Sequence, residues 1–319
     1  MKQWPIILRW LTWAALLEWL IGRTVARSAI YMPKTPLMIA GYQVLGAIGQ
    51  MAFTLTTLLA LIGMMWIAWQ ERRNLAFALL LMTSVIGSLV FVVVMADGWW
   101  AVFDRLLLVA IVTALIGRAW RTAVNRHWKI VLTIPLLAVW LGALYQVLPA
   151  LAQAVHWPET PALGRTLFDV GEMLVALTPI GLWLVLRPRE RTRVYVLTAI
   201  PALLFSIMHL AAPAMLSMMA IWSIGLTVYL PWPIYALSLW LGIIVVVSAL
   251  QHDQPIGWAL LLLVAAGYAP QVSVQVFVSV IALWLMLASL PGAQAKQAET
   301  QLQQVQSIAA GGLIGGRSV

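Results

Sequence analysis

Leu79-Leu80-Leu81-Met82-Thr83-Ser84-Val85-Ile86-Gly87-Ser88-Leu89-Val90-Phe91-Val92-Val93-Val94-Met95 carries no charge and no alternation of apolar with polar residues. Glu71-Arg72-Arg73 stands before it and Asp97 after it. A barrel strand in lipid would alternate, lipid-facing with lumen-facing, so this run reads as a helix. Leu237 to Leu250 reads the same way. Hydrocarbon gives the backbone no hydrogen-bond partner, and a helix satisfies its own.

Outward from that run the pattern repeats. Hydrophobic residues make up 63% of the 319, against about 45–50% in soluble domains, and mean hydropathy is +0.95. The apolar segments lie near 4–26, 38–69, 75–96, 99–117, 130–154, 167–186, 194–212, 214–230, 234–250 and 256–290. About 20 residues cross a bilayer at 1.5 Å per residue. The sequence therefore predicts an all-α, polytopic transmembrane bundle of about 10–11 spans over residues 1–290. The last segment contains Gly267 and Pro270, so it reads as one kinked helix, a re-entrant pair or two short spans. Residues 291–319 form a polar, Gly-rich tail that is expected to be flexible.

The charges sit in the turns. Glu71-Arg72-Arg73, Arg118 to Lys129 and Arg187 to Arg193 are basic, and the intervening connections carry Asp97, Glu159, Asp169 and Asp253. By the positive-inside rule the basic turns and the N-terminus are cytoplasmic, in a bacterial inner membrane. Asp97-Gly98, 155–166 and 251–255 then face outward. Arg23, Arg27 and Lys34 run against the rule. Turn placement also accounts for the net charge of +9 without nucleic acid. Arg187, Arg189, Arg191 and Arg193 are the candidate contacts for anionic lipid head groups. Other membrane subunits are further candidate partners.

Three hairpins share an Ile-Gly followed by Trp before the basic turn: Ile62-Gly63…Trp66, Ile116-Gly117…Trp120 and Ile180-Gly181…Trp183. Internal repeats are frequent in transporters, though Ile-Gly also recurs elsewhere here. Among the 18 tryptophans, Trp4, Trp10, Trp66, Trp69, Trp99, Trp100, Trp120, Trp128 and Trp157 lie near segment ends, as interfacial belts require. Trp183, Trp222, Trp240 and Trp284 are deeper.

Ionisable groups inside spans carry the functional signal, because one at a helix centre costs roughly 2.5–3.5 kcal/mol. Glu18, Asp104, Arg105, Asp169, Glu172 and His209 are such groups, and the topology sends them to one half of the bundle. Asp169 and Glu172, three apart, share a helix face, with Arg165 as an available partner. Asp104 and Arg105 are adjacent and point in different directions, so each is expected to need a separate partner. Glu18 lacks a basic neighbour on its own helix and is expected to meet one from another helix, such as Arg105, or to stay protonated. Pro213 supplies no N–H to the carbonyl of His209, leaving the helix open there. Pro135, Pro179, Pro201 and Pro213 are expected to break helices, as substrate-binding half-helices require.

Phe205-x-x-x-His209, preceded by Leu203-Leu204, resembles the second motif of the CPBP intramembrane metalloproteases over about 15 residues. The resemblance implies metal-assisted hydrolysis, with His209, His252 and Glu172 as the candidate ligands. No Glu-Glu pair occurs, and His252 is followed four places later by Ile256, so the family's general base and one ligand have no counterpart.

Several classes are excluded. Lys2, Lys34, Lys129 and Lys296 all lie outside the spans, so no retinal Schiff base forms. The phosphate-loop pattern is absent, and with no cysteine there is neither thiolate catalysis nor iron–sulfur ligation. Three expectations remain. The first is a transporter or permease with an outward-facing polar cavity for a small or lipid-like solute, lined by Glu18, Asp104, Arg105, Asp169, Glu172 and His209. The second is a membrane-embedded metal-dependent hydrolase using His209 and His252. The third is a non-catalytic subunit of a larger membrane complex.

Overall fold

The computed structural model describes residues 6–18, 21, 35–94, 98–122, 126–156, 161–188, 190–211, 232–252, 254–266 and 273–289. Every element among them is helical: α1 (Ile6–Leu17), α2 (Pro36–Gln70), α3 (Leu75–Val94), α4 (Gly98–Thr122), α5 (Arg126–Val155), α6 (Pro161–Leu186), α7 (Thr192–Ala211), α8 (Trp232–Gln251), α9 (Pro255–Ala266) and α10 (Ser273–Ala288). Three of these, α2, α4 and α5, are long and apolar enough to cross a membrane. Segment 214–230, the tail and Asp97, Arg189 and Asp253 lie outside the described residues.

Local chemistry sets the ends. The Thr35 hydroxyl accepts from the Met38 N–H at 3.4 Å, and Pro36 occupies the first helical position, where its missing N–H costs nothing. At the other end of α2 the Glu71 N–H returns to the Ile67 carbonyl. His156 and Arg187 close α5 and α6 with positive φ, 54° and 42°, a conformation that glycine usually supplies at helix ends.

Helices stay continuous through Pro135, Pro149, Pro179 and Pro201. The expectation of half-helices broken at these prolines therefore does not hold, and Pro213 lies outside the described residues. Neighbouring helices can cover a carbonyl freed by a proline, so an apolar packed helix need not break.

The helices pack in chain order as antiparallel neighbours from α2 to α6. Between α4 and α5 the register is fixed at three levels. An added Cβ on Gly98 would lie 3.0 Å from the Ala154 Cα. The Trp140 indole donates to Thr113 Oγ1 at 3.0 Å, and the Trp120 indole to Thr133 Oγ1 at 3.1 Å. Each threonine passes its own proton to the carbonyl four residues earlier. The α8 helix packs on both α6 and α7. Its Trp240 indole reaches the Tyr195 carbonyl and Thr198 Oγ1 at 3.0 and 3.2 Å.

At the centre stands α10, buried without interruption from Val276 to Ala288. A helix apolar on every face belongs inside rather than against solvent. It contacts α2, α4, α5 and α9. The 256–290 segment is thus two helices packed as a hairpin, of 12 and 16 residues. The three Ile-Gly sites have unlike surroundings: Gly63 faces Ile281 and Leu8, Gly181 faces Val131, and Gly117 faces open space.

Candidate functional sites

The basic turns gather at one end of the bundle. Arg118 pairs with Glu71, joining the ends of α4 and α2, and the Trp284 indole donates to the same Glu71 carboxylate at 2.8 Å. Trp66 packs edge-to-face on Trp284 at 5.3 Å. Arg72 lies over the Trp69 ring at 4.9 Å, an interfacial cation–π contact. Arg187, Arg191 and Arg193 are exposed here, in and beside the α6–α7 turn.

Residue 252 belongs to this end too. The His252 Nδ1 lies 4.0 Å from Glu190 Oε1 and 2.8 Å from the Ser248 carbonyl. The sequence reading put 251–255 at the face opposite the basic turns, and the contact with Glu190 overturns that. The reading assumed that 214–230 crosses once. Among the described residues α7 runs away from Glu190 and α8 ends beside it, and 214–230 itself lies outside them. His209 lies 17 residues into α7, about 26 Å along the helix from Thr192. By backbone position His209 and His252 thus stand toward opposite ends of the bundle.

Asp104 lies in the half remote from the basic turns, near the start of α4. Its side chain is fully buried. Ser88 of α3 donates to Oδ1 at 2.7 Å, and the Arg105 guanidinium holds Oδ2 at 2.5 Å. This corrects the expectation that adjacent residues could not neutralise each other. Side chains one residue apart diverge by about 100° on a helix, but the long arginine stem curls back to the carboxylate. The Trp100 indole, on the Gly87 carbonyl at 3.1 Å, ties α4 to α3 beside the pair. An ion pair taken out of water recovers its desolvation only when remaining lone pairs are also satisfied, which Ser88 helps to do.

Glu18 follows α1, where the helix widens into a π turn. It borders a small recess with Ala15, Phe53, Thr56, Ala265, Ala266, Val274 and Val278, contributed by α1, α2, α9 and α10. Thr56 is 5% exposed, and its hydroxyl has no partner. A buried hydroxyl left so costs about 1–3 kcal/mol.

Asp169 and Glu172 lie on α6 at the level of Gly171, which faces Ala138 and Leu141 of α5. By helix position they share the remote half with Asp104 and His209. The side chains of Arg165, Asp169, Glu172 and His209 lie outside the described residues. Both α6 and α7 pack on α8. Ser88, Glu71, Glu190 and the Trp284 indole were missed as polar partners, and Thr56 as a buried hydroxyl. Ser88 and Thr56 are small hydroxyls in apolar runs, and their only signal was that each lies inside a span.

The chain matches no protein-family model, no curated protein and no solved structure.

Proposed function

We propose that this is a multi-pass protein of a bacterial inner membrane with a transporter or permease-like role. The basic turns would face the cytoplasm, with Arg187, Arg189, Arg191 and Arg193 against anionic lipid head groups. The solute path for a small or lipid-like molecule would open from the other face. Asp104 and Arg105 are its polar centre, and Glu18, Asp169, Glu172 and His209 extend the lining.

The observation carrying this reading is the Ser88–Asp104–Arg105 cluster, an ion pair inside a helix long and apolar enough to cross a bilayer. Ionisable groups at such depth are expensive and mark solute or ion pathways by default. Two further facts support it. The acids near the basic end, Glu71 and Glu190, contact Arg118, Trp284 and His252 there. The helix positions of His209 and His252, toward opposite ends of the bundle, favour this reading over the hydrolase one.

The test is flux in proteoliposomes, using a radiolabelled panel of amino acids, organic acids, sugars and short-chain lipids. Uptake of one class, abolished by Asp104→Asn or Arg105→Gln in protein that still melts cooperatively, supports the reading. A panel with no flux, together with Asp104→Asn protein that copurifies with another membrane chain, would favour the subunit reading.

A further inference from the structure

We infer that the outward face of α2 is a self-association surface, occupied by the α2 of a second copy of this chain lying parallel to the first. The first argument is length. The helix has 35 residues and so runs about 52 Å at 1.5 Å per residue. Hydrocarbon is about 30 Å deep, and about 20 residues counted back from Gln70 cross it. A tilt that kept the whole helix within that depth would be about 55°, outside the range of about 0–40° that membrane helices adopt. Buried residues on α2 begin only at Gly49. The stretch from Pro36 to Ile48 therefore lies beyond the hydrocarbon, with Leu37, Ile39, Val44 and Leu45 exposed. A helix apolar on every side belongs against another apolar surface and not in water.

The second argument is pattern. Counted from Leu37 in alternating steps of four and three, every stop as far as Trp69 is apolar or glycine, and every stop is exposed. That is a heptad seam along the whole helix. From Met51 to Trp69 the stops are also the only large apolar residues that α2 exposes, so the bare surface is a narrow strip. One register of the seam holds Ile48, Leu55 and Ile62, and the other Met51, Leu58 and Met65. Branching at Cβ in the first register, with none in the second, favours two parallel strands. Ala40, Ala47 and Thr54 flank the first register, and small residues there let membrane helices approach closely.

The third argument is area and symmetry. The side chains of the seam expose on the order of 900 Å², and a standard interface takes about 800 Å² from each partner. Insertion by the positive-inside rule gives each copy the same orientation. Two copies of α2 related by a two-fold axis along the membrane normal then run parallel, as the seam requires. The inference rests on α2 spanning a membrane and not on transport.

The experiment uses the full-length chain, which has no cysteine of its own. Single cysteines are placed on the seam by Val44→Cys, Met51→Cys and Leu58→Cys. Gln43→Cys and Gln50→Cys are the controls, equally exposed but off the seam. All five positions are exposed, so the changes leave the packed core intact. Native membranes carrying tagged and untagged copies are oxidised with copper phenanthroline. Disulfide-linked dimers containing both copies are expected at the three seam positions, at least fivefold above the two controls. No linked dimer, equal linkage on and off the seam, or linkage to a chain of another mass would each overturn the assignment. Flux in a protein that never links would sink the pairing and leave the transport reading standing, whereas linked dimers without flux would do the reverse.

Discussion

At the scale of single residues, Asp104 shows how far a charge inside an apolar run can be read. Its price in lipid marks it in the sequence, and the structure finds it fully buried. Its partners were not legible. The Ser88 hydroxyl is silent in an apolar run, and the rule that neighbours on a helix diverge ignores the reach of an arginine. Ser88→Ala is expected to lower stability by about 1.5–3 kcal/mol, the range for a hydrogen bond to a charged group. Asp104→Asn should lose about 3–5 kcal/mol, because it strands the Arg105 charge. Both are read from chemical denaturation in one detergent. The double change Asp104→Leu with Arg105→Met discriminates structure from function. It should recover most of that stability, since paired apolar replacement of a buried ion pair is often neutral, while flux stays lost. Recovery of flux in the double variant would reduce the pair to a structural role.

At the scale of elements, helix existence was legible because apolar runs between charged turns leave lipid-compatible backbone no other choice. Helix interruption was not. Pro135, Pro179 and Pro201 are read locally as breaks, but tertiary packing carries α5, α6 and α7 straight through them. The locking of α4 to α5 shows what such packing uses. Thr113 with Trp140 and Trp120 with Thr133 form two rungs of one antiparallel register, and Gly98 against Ala154 forms a third. Interhelical side-chain hydrogen bonds in membranes average about 0.6 kcal/mol. A double-mutant cycle of Thr113→Val and Trp140→Phe should therefore give a coupling of about that size. The close approaches matter more. A Cβ at Gly257 would meet the Ala249 Cβ at 2.9 Å and the Leu250 nitrogen at 3.2 Å, neither of which can rotate away. At Gly63 the one close approach would be to the Ile281 Cδ1 at 2.8 Å, the end of a flexible side chain. Gly257→Ala is expected to cost about 1–3 kcal/mol as overpacking, and Gly63→Ala clearly less, in thermal melts of the two variants side by side.

At the scale of the whole molecule, two of the basic turns lie side by side, joined by the Arg118–Glu71 pair. Where the reading went astray was parity. The short segment 214–230, between Pro213 and Pro231, was counted as a crossing and lies outside the described residues, and the placing of residue 252 depended on that count. The core was equally hidden, because α10 and the outer helices have the same apolar composition. Nothing in an apolar run distinguishes a neighbour of lipid from a neighbour of helix, since lipid tails are as apolar as leucine. Only the three-dimensional packing singles out α10 as central. The arrangement makes a sharp prediction in a chain that has no cysteine to interfere. Single cysteines at Asn74 and His252 should react with a membrane-impermeant maleimide from the same side, and a cysteine at His156 from the other. The sequence reading required 156 and 252 to label together. In right-side-out vesicles, only the 156 variant is expected to react before permeabilisation, which would fix the basic end as cytoplasmic. Reaction of 252 with 156, and not with 74, would mean that the α8–α9 turn does not lie beside Glu190, and the register of α7 and α8 would have to be redrawn.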